Sequence, residues 1–298
     1  LIATALASLE VVLDRGLIDD WFDSGFITAV AAIGLLSFAA MIPWQLHRPN
    51  PLIDVRMVAT RQFGACLLVM LGAGAILLAT TQFLPLLVQQ HYGYTATWAG
   101  LVLSPGGLVT MAMMLIVGRV AGRMQPRWLI AAGALVVAVS MHGLTNVYAD
   151  LDFWYFARSR MLLSIGLPLI FIPMLTASYN AVPQNRTDMA SALINAARNT
   201  GGSIGAALGA NVIAHREQFH QSRLVEHVVP SSPQYQASLQ QAKDYFLAHG
   251  STSAEAAKQA VAWIAQQVQQ QAAFLAFDDL FWVLMLVSLA AVPLALSL

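Results

Sequence analysis

Charge is what this chain has least of. Of its 298 residues, 10% are Asp, Glu, Lys or Arg and 58% are apolar. Soluble globular domains carry about 25% charged and roughly 45–50% apolar residues. That shortfall excludes an ordinary soluble enzyme and a disordered chain. Lys+Arg and Asp+Glu are both 15, so no basic excess exists to neutralise phosphates, and a nucleic-acid partner is excluded. The single cysteine, Cys66, excludes a disulfide framework and a Cys-based zinc site. The seven His show no H-E-x-x-H or H-x-H spacing. Asp150-Leu151-Asp152 imitates a D-x-D metal motif but has no other ligand cluster in its short loop, so no metal site is expected. Strand alternation is also missing, which argues against a transmembrane barrel.

What remains is long apolar runs with 20 Gly and 12 Pro, residues commoner in membrane helices than in soluble ones. About 20 apolar residues cross a roughly 30 Å hydrocarbon core. Seven runs qualify: Phe26–Trp44, Phe63–Val88, Trp98–Val117, Trp128–Val147, Met161–Val182, Met189–Ala214 and Leu280–Leu298. Leu1–Leu13 has the character of the tail of an earlier span, and Leu294-Ala295-Leu296-Ser297-Leu298 stops inside an apolar run. The expectation is a piece of a longer chain.

Connections between spans alternate sides. One side carries Arg48, Arg56, Arg61, Arg119, Arg123, Arg127, Arg186 and Arg198 against Asp54 and Asp188. The short connections of the other side carry Arg15, Arg158 and Arg160 against Glu10, Asp14, Asp19, Asp20, Asp23, Asp150 and Asp152. Eight arginines against three place the first side in the cytoplasm. The long segment His215–Asp279 then lies outside. It predicts a helix from about Pro233 to Ala248, ended by His249-Gly250. A second helix opens on the capping box Thr252-Ser253-Ala254-Glu255 and runs through Ala256–Phe277 into the last span. This segment reads either as a solvated helical cap or as a docking surface for a partner.

Within the spans, Arg198 is the one formal charge. An intramembrane charge costs roughly 2.5–3.5 kcal/mol at mid-depth and usually faces protein. Arg198 reads as structural, gating or substrate-contacting, with Asn195, Asn199, Gly202 and Ala206 on its helical face. Gly201-Gly202-Ser203-Ile204-Gly205 matches the G-x-S-x-G nucleophile elbow, with His142 of another span as a conceivable base. That motif needs a strand-to-helix turn, and the spacing of Gly201, Gly205 and Gly209 explains the run more simply as a close helix–helix contact. Gly118 and Gly122, with Arg119, Arg123 and Arg127, close a helix at the cytoplasmic end, where Arg suits the helix dipole and the lipid surface. Pro85, Pro105, Pro168, Pro173 and Pro293 bend spans, as moving transporters and static membrane proteins both allow.

The wording of several segments adds a resemblance. Tyr92-Gly93-Tyr94-Thr95-Ala96-Thr97-Trp98-Ala99-Gly100-Leu101, Ser104-Pro105-Gly106-Gly107, Gly118-Arg119-Val120-Ala121-Gly122-Arg123, the Asn195…Gly205 helix and Trp263-Ile264-Ala265-Gln266-Gln267 occur in this order. The string resembles the EmrB/QacA-type fourteen-helix drug:proton antiporters of the major facilitator superfamily, the EmrB branch most closely. The resemblance implies an all-α, polytopic fold. Residues 1–62 would be the end of a truncated helix, one extra central helix and a cytoplasmic linker. Residues 63–298 would be the C-terminal six-helix bundle, with an outer helical loop at 215–279. It implies alternating access in the bacterial inner membrane, export of amphipathic drug-like compounds, a proton gradient rather than a cofactor, and a periplasmic membrane-fusion adaptor contacting 218–277. The helices that line the central cavity in this superfamily offer Thr81, Gln82, Phe83, Gln89, Met111, Met114, Tyr179, Asn195 and Asn199 as cavity candidates. Arg198, Gly118, Arg119, Gly122 and Arg123 are gating or structural candidates. The family's proton-coupling acids belong to its N-terminal bundle, and none maps here. An intramembrane hydrolase (Ser203 with His142) and a non-transporting scaffold are the competing expectations.

Overall fold

The computed structural model describes residues 1–47 and 54–298. Arg48, counted above with the cytoplasmic arginines, lies outside the described residues. Ten α-helices are formed among those described: α1 (Ile2–Arg15), α2 (Gly25–Leu46), α3 (Val55–Val58), α4 (Arg61–His91), α5 (Ala96–Val120), α6 (Pro126–His142), α7 (Phe153–Asn180), α8 (Thr187–His227), α9 (Pro233–Ala248) and α10 (Ser253–Leu296). No strand occurs among the described residues. The chain is an all-α, polytopic membrane protein. Five helices, α2, α4, α5, α7 and α10, are long and apolar enough to cross a membrane. The 17-residue α6 is apolar but shorter, and α8 mixes its small residues with Asn195, Arg198 and Asn199.

Helix starts follow local capping. Thr95 accepts from the Trp98 N–H at 3.3 Å, and Asp152 from the Tyr155 N–H at 2.9 Å. The Asp152 cap moves the start of α7 eight residues upstream of the expected Met161, so Arg158 and Arg160 lie inside a helix rather than in a connection. α6 ends five residues before the expected Val147, because the chain turns at Gly143. α8 continues past Ala214 to His227.

The chain folds as two compact units: residues 1–144, 152–211 and 281–298, and residues 145–151 with 212–280.

In the first unit α4 is largely enclosed, with Phe63, Cys66, Ala79, Leu87 and Val88 fully buried. It meets α8 backbone to backbone. A methyl added to Gly201 would overlap the Leu71 carbonyl, one on Gly205 the Ala75 carbonyl, and one on Gly74 the Arg198 carbonyl. Small residues permit this approach where lipid supplies no hydrophobic drive between helices. The expected contact through Gly201 and Gly205 is therefore present, and α4 is its other wall. Gly133 and Gly166 do the same for α6 and α7, since a Cβ on Gly133 would stand 2.8 Å from the Gly166 carbonyl oxygen. Buried hydroxyls supplement this packing: Ser140 donates to the Ser159 carbonyl at 2.6 Å, and Ser288 to the Ala134 carbonyl at 2.7 Å. α1 and α2 pair, with Ser8 against Gly34.

In the second unit the expected helix 233–248 forms as α9 and stops at Gly250, whose φ is +94°. The capping box closes as read: Glu255 Oε2 accepts from the Thr252 N–H at 3.0 Å and hydroxyl at 2.7 Å, and the Glu255 N–H returns to Thr252 Oγ1 at 3.4 Å. These bonds hold the Glu255 carboxyl below its ordinary value.

Gly201→Val and Gly205→Val are each expected to cost about 1–3 kcal/mol or to block folding, seen as a lowered thermal unfolding midpoint of the purified protein. Gly107→Ala, whose new methyl would meet nothing within 4 Å beyond its own helix, is expected not to lower that midpoint.

Candidate functional site

Eight of the nine cavity candidates lie on the exposed surface of the first unit. Thr81, Gln82 and Gln89 are on α4, Met111 and Met114 on α5, Tyr179 on α7, and Asn195 and Asn199 on α8. Phe83 does not join them. It is 2% exposed, and its ring meets Gly209 of α8, where an added Cβ would stand 3.0 Å from Cδ2. The alternation of exposed Gln82 and buried Phe83 follows from their 100° offset on one helix, which a list of polar and aromatic residues does not register. Thr81 Oγ1 donates to the Leu77 carbonyl at 2.7 Å, Gln89 Nε2 to the Pro85 carbonyl at 3.1 Å and Asn195 Nδ2 to the Ser191 carbonyl at 2.9 Å.

Two arginines stand among these residues without a carboxylate partner among the described residues. The Arg198 guanidinium lies 5.9 Å from the centre of the Phe171 ring of α7, a cation–π arrangement. Arg160, which a helix starting at Met161 would leave outside, lies within α7. Its guanidinium reaches Thr80 Oγ1 at 3.3 Å and Thr81 Oγ1 at 3.2 Å, while its buried Nε has no partner. Gly106 of α5 leaves room for this side chain, since a Cβ there would stand 2.9 Å from Arg160 Cγ. A polar site is thus formed by α4, α5 and α7. Its one sequence signal is an arginine within a turn or two of a hydrophobic run, downstream of an Asp cap.

The Ser203 hydroxyl donates to Glu10 Oε1 at 2.7 Å. Glu10 is inside α1 rather than in an outer connection, and it links that helix to α8. His142 packs edge-on to Trp282 of α10, with ring centres 6.3 Å apart. The residues proposed as nucleophile and base are engaged with different helices, α1 and α10. At the opposite end of α5, Gly118 and Gly122 have open space around them. Arg119 donates back to the Leu115 carbonyl at 3.1 Å, and Arg127 lies 5.7 Å from the Trp128 ring centre. Arg186, at the foot of α8, pairs with Asp54, which also caps α3. No group of three or more potential metal ligands occurs among the described residues.

In the second unit, Ser238, Gln241, Ala242, Tyr245 and Phe246 of α9 and Trp263 of α10 line a cleft of about 270 Å³. Tyr245 is 58% and Trp263 42% exposed, so the rim of the cleft is aromatic.

These long apolar helices define an all-α, multi-pass membrane fold. The Major Facilitator Superfamily pattern matches residues 14–206, and the chain belongs to that family. It is 32% identical over 288 residues to the multidrug export protein EmrB of Escherichia coli K12, covering 95% of this chain and 54% of that protein. The Haemophilus influenzae EmrB is 29% identical over 283 residues, with 95% and 54% covered. The fatty acid resistance protein FarB of Neisseria gonorrhoeae is 28% identical over 232 residues, 78% of this chain and 46% of that protein. The chain spans about half the length of the curated relatives it matches. It is a multi-pass protein of the bacterial inner membrane.

Arg160→Met removes both hydroxyl contacts between α7 and α4. Polar contacts between membrane helices are worth about 0.6 kcal/mol on average, so a loss of about 1 kcal/mol is expected in reversible detergent unfolding. Thr81→Val is expected to cost less, because Thr80 remains.

Proposed function

We propose that the chain is the C-terminal half of a proton-coupled multidrug efflux transporter that exports amphipathic compounds by alternating access. The observation that carries this reading is the similarity to the multidrug export protein EmrB along 95% of the chain. The exposed side chains on α4, α5, α7 and α8 suit varied ligands. Met111 and Met114 give adaptable apolar contact, and Thr81, Gln82, Gln89, Asn195 and Asn199 give hydrogen bonds that orient it. Arg198 and the Gly118–Arg123 segment act in gating, through contacts that change as the bundle rocks. Export draws on the proton gradient and needs no cofactor.

The partner in this reading is a periplasmic membrane-fusion adaptor, seated on the 218–277 region. The exposed Tyr245 and Trp263 at the cleft between α9 and α10 have the aromatic character of interface anchors.

Expression of the whole protein in a drug-sensitised bacterial strain tests the reading. Resistance to amphipathic compounds is expected to rise, and Arg198→Ala is expected to abolish the rise while leaving membrane levels unchanged. Full resistance in the Arg198→Ala strain would remove that residue from the mechanism. No resistance with the unaltered protein would remove the efflux reading. For the partner, Trp263→Ala is expected to reduce cross-linking to the adaptor severalfold, and unchanged cross-linking would place the interface elsewhere.

A further inference from the structure

Arg160 is a cation within a membrane helix, and nothing of opposite charge answers it. It is the eighth residue of α7, about 10 Å from the start of the helix at 1.5 Å per residue. Its partner Thr81 lies about 15 Å from the end of α4 at His91. An arginine at such depth faces protein or a watery cavity rather than lipid, and it pairs with an acid or with backbone carbonyls. Here both hydrogen bonds end on neutral hydroxyls: Nη1 donates to Thr80 Oγ1 at 3.3 Å and Nη2 to Thr81 Oγ1 at 3.2 Å. Each threonine gives its own proton to α4, Thr80 to the Ile76 carbonyl at 2.6 Å and Thr81 to the Leu77 carbonyl at 2.7 Å. The two hydroxyls therefore aim the guanidinium without offsetting its charge. No acid among the described residues pairs with it. Asp152, at the start of the same helix, is engaged with the Tyr155 N–H.

The donors left over share one edge of the guanidinium. The Nε–H is buried and has no partner. Nη2, on the same edge, carries a second proton beyond the one given to Thr81. An Nε–H beside an Nη2–H is the fork that takes both oxygens of a carboxylate. The Nη2 end opens outward, because Thr81 and its neighbour Gln82 are exposed; Thr80, at the Nη1 end, is 1% exposed. α5 fixes the stem of the side chain. Gly106 lets that helix close on it, since a Cβ there would stand 2.9 Å from Arg160 Cγ and 2.7 Å from Ser164 Oγ. All of these residues belong to the first unit.

We propose that Arg160, aimed by Thr80 and Thr81, is a carboxylate-binding subsite for the transported compound. The inference rests on the efflux reading above and narrows it to a substrate class: an apolar body that carries an ionised acid. The acid gives Arg160 the opposite charge it lacks, through a bidentate, charge-assisted contact stronger than the neutral ones present. Arg160 is already largely out of bulk water before the ligand arrives, so most of its desolvation precedes binding. An ester of the same body leaves the guanidinium as it stands.

Binding of a fluorescent long-chain carboxylic acid and of its methyl ester tests this. Both are titrated at pH 8 onto the whole protein in lipid nanodiscs, with uptake by empty nanodiscs subtracted. The unaltered protein is expected to bind the acid at least about tenfold more tightly than the ester, as a hydrogen-bonded charge pair requires. In Arg160→Gln that ratio is expected to fall to about one, and Arg160→Lys is expected to restore a severalfold preference. Equal binding of acid and ester by the unaltered protein, or an undiminished ratio in Arg160→Gln, would overturn the subsite and leave the efflux reading standing. Binding of neither compound would remove both. Should Arg160→Gln fail to fold, photolabelling of the unaltered protein with the same acid, carrying a diazirine beside its carboxylate, decides the matter. Labelled peptides are expected to contain residues 80–81 or 160, and labelling confined to other segments would contradict the assignment.

Discussion

The first unit rests on the absence of side chains at three positions. Gly74 of α4 and Gly201 and Gly205 of α8 bring two backbones so close that a single methyl would overlap a carbonyl. In lipid, apolar side chains gain nothing by leaving one another for the solvent, so helices associate through close packing and polar contacts. This contact fixes the rotation of both helices. With Gly201 and Gly205 turned to α4, Asn195 and Asn199 are left exposed. On α4, Thr81 and Gln82 are exposed, while Phe83 is enclosed against Gly209 of α8.

Polar groups are placed with the same economy. Arg160 spends two of its nitrogens on the Thr80 and Thr81 hydroxyls, and Arg198 lies over the Phe171 ring. Neither has a carboxylate among the described residues. The acids sit apart: Glu10 on α1 meets Ser203, Asp54 meets Arg186, and Asp278 and Asp279 stand where α10 turns apolar. A neutral total charge thus conceals sites with very different fields.

Much of this was legible in the sequence. Long apolar runs gave the helices, the four-residue glycine spacing gave one face of a close contact, and Thr252 with Glu255 gave the capping box. Each of these is a local pattern, set by residues within a turn or two. Hydropathy alone starts α7 at Met161, since it ignores the cap at Asp152, and so leaves Arg160 outside the helix. The burial of Phe83 depends on Gly209 of α8, far away in sequence. The Glu10–Ser203 and Asp278–Val147 contacts join residues 193 and 131 positions apart, and no spacing rule reaches that far. The similarity to EmrB carried the functional reading further than any single residue could.

The most direct measurement is substrate flux in proteoliposomes containing the whole protein, with an imposed proton gradient across the membrane. The account predicts movement of an amphipathic dye against the direction of proton flow, abolished when the gradient is collapsed. Dye movement that is absent, or that proceeds equally without a gradient, would contradict proton-coupled export.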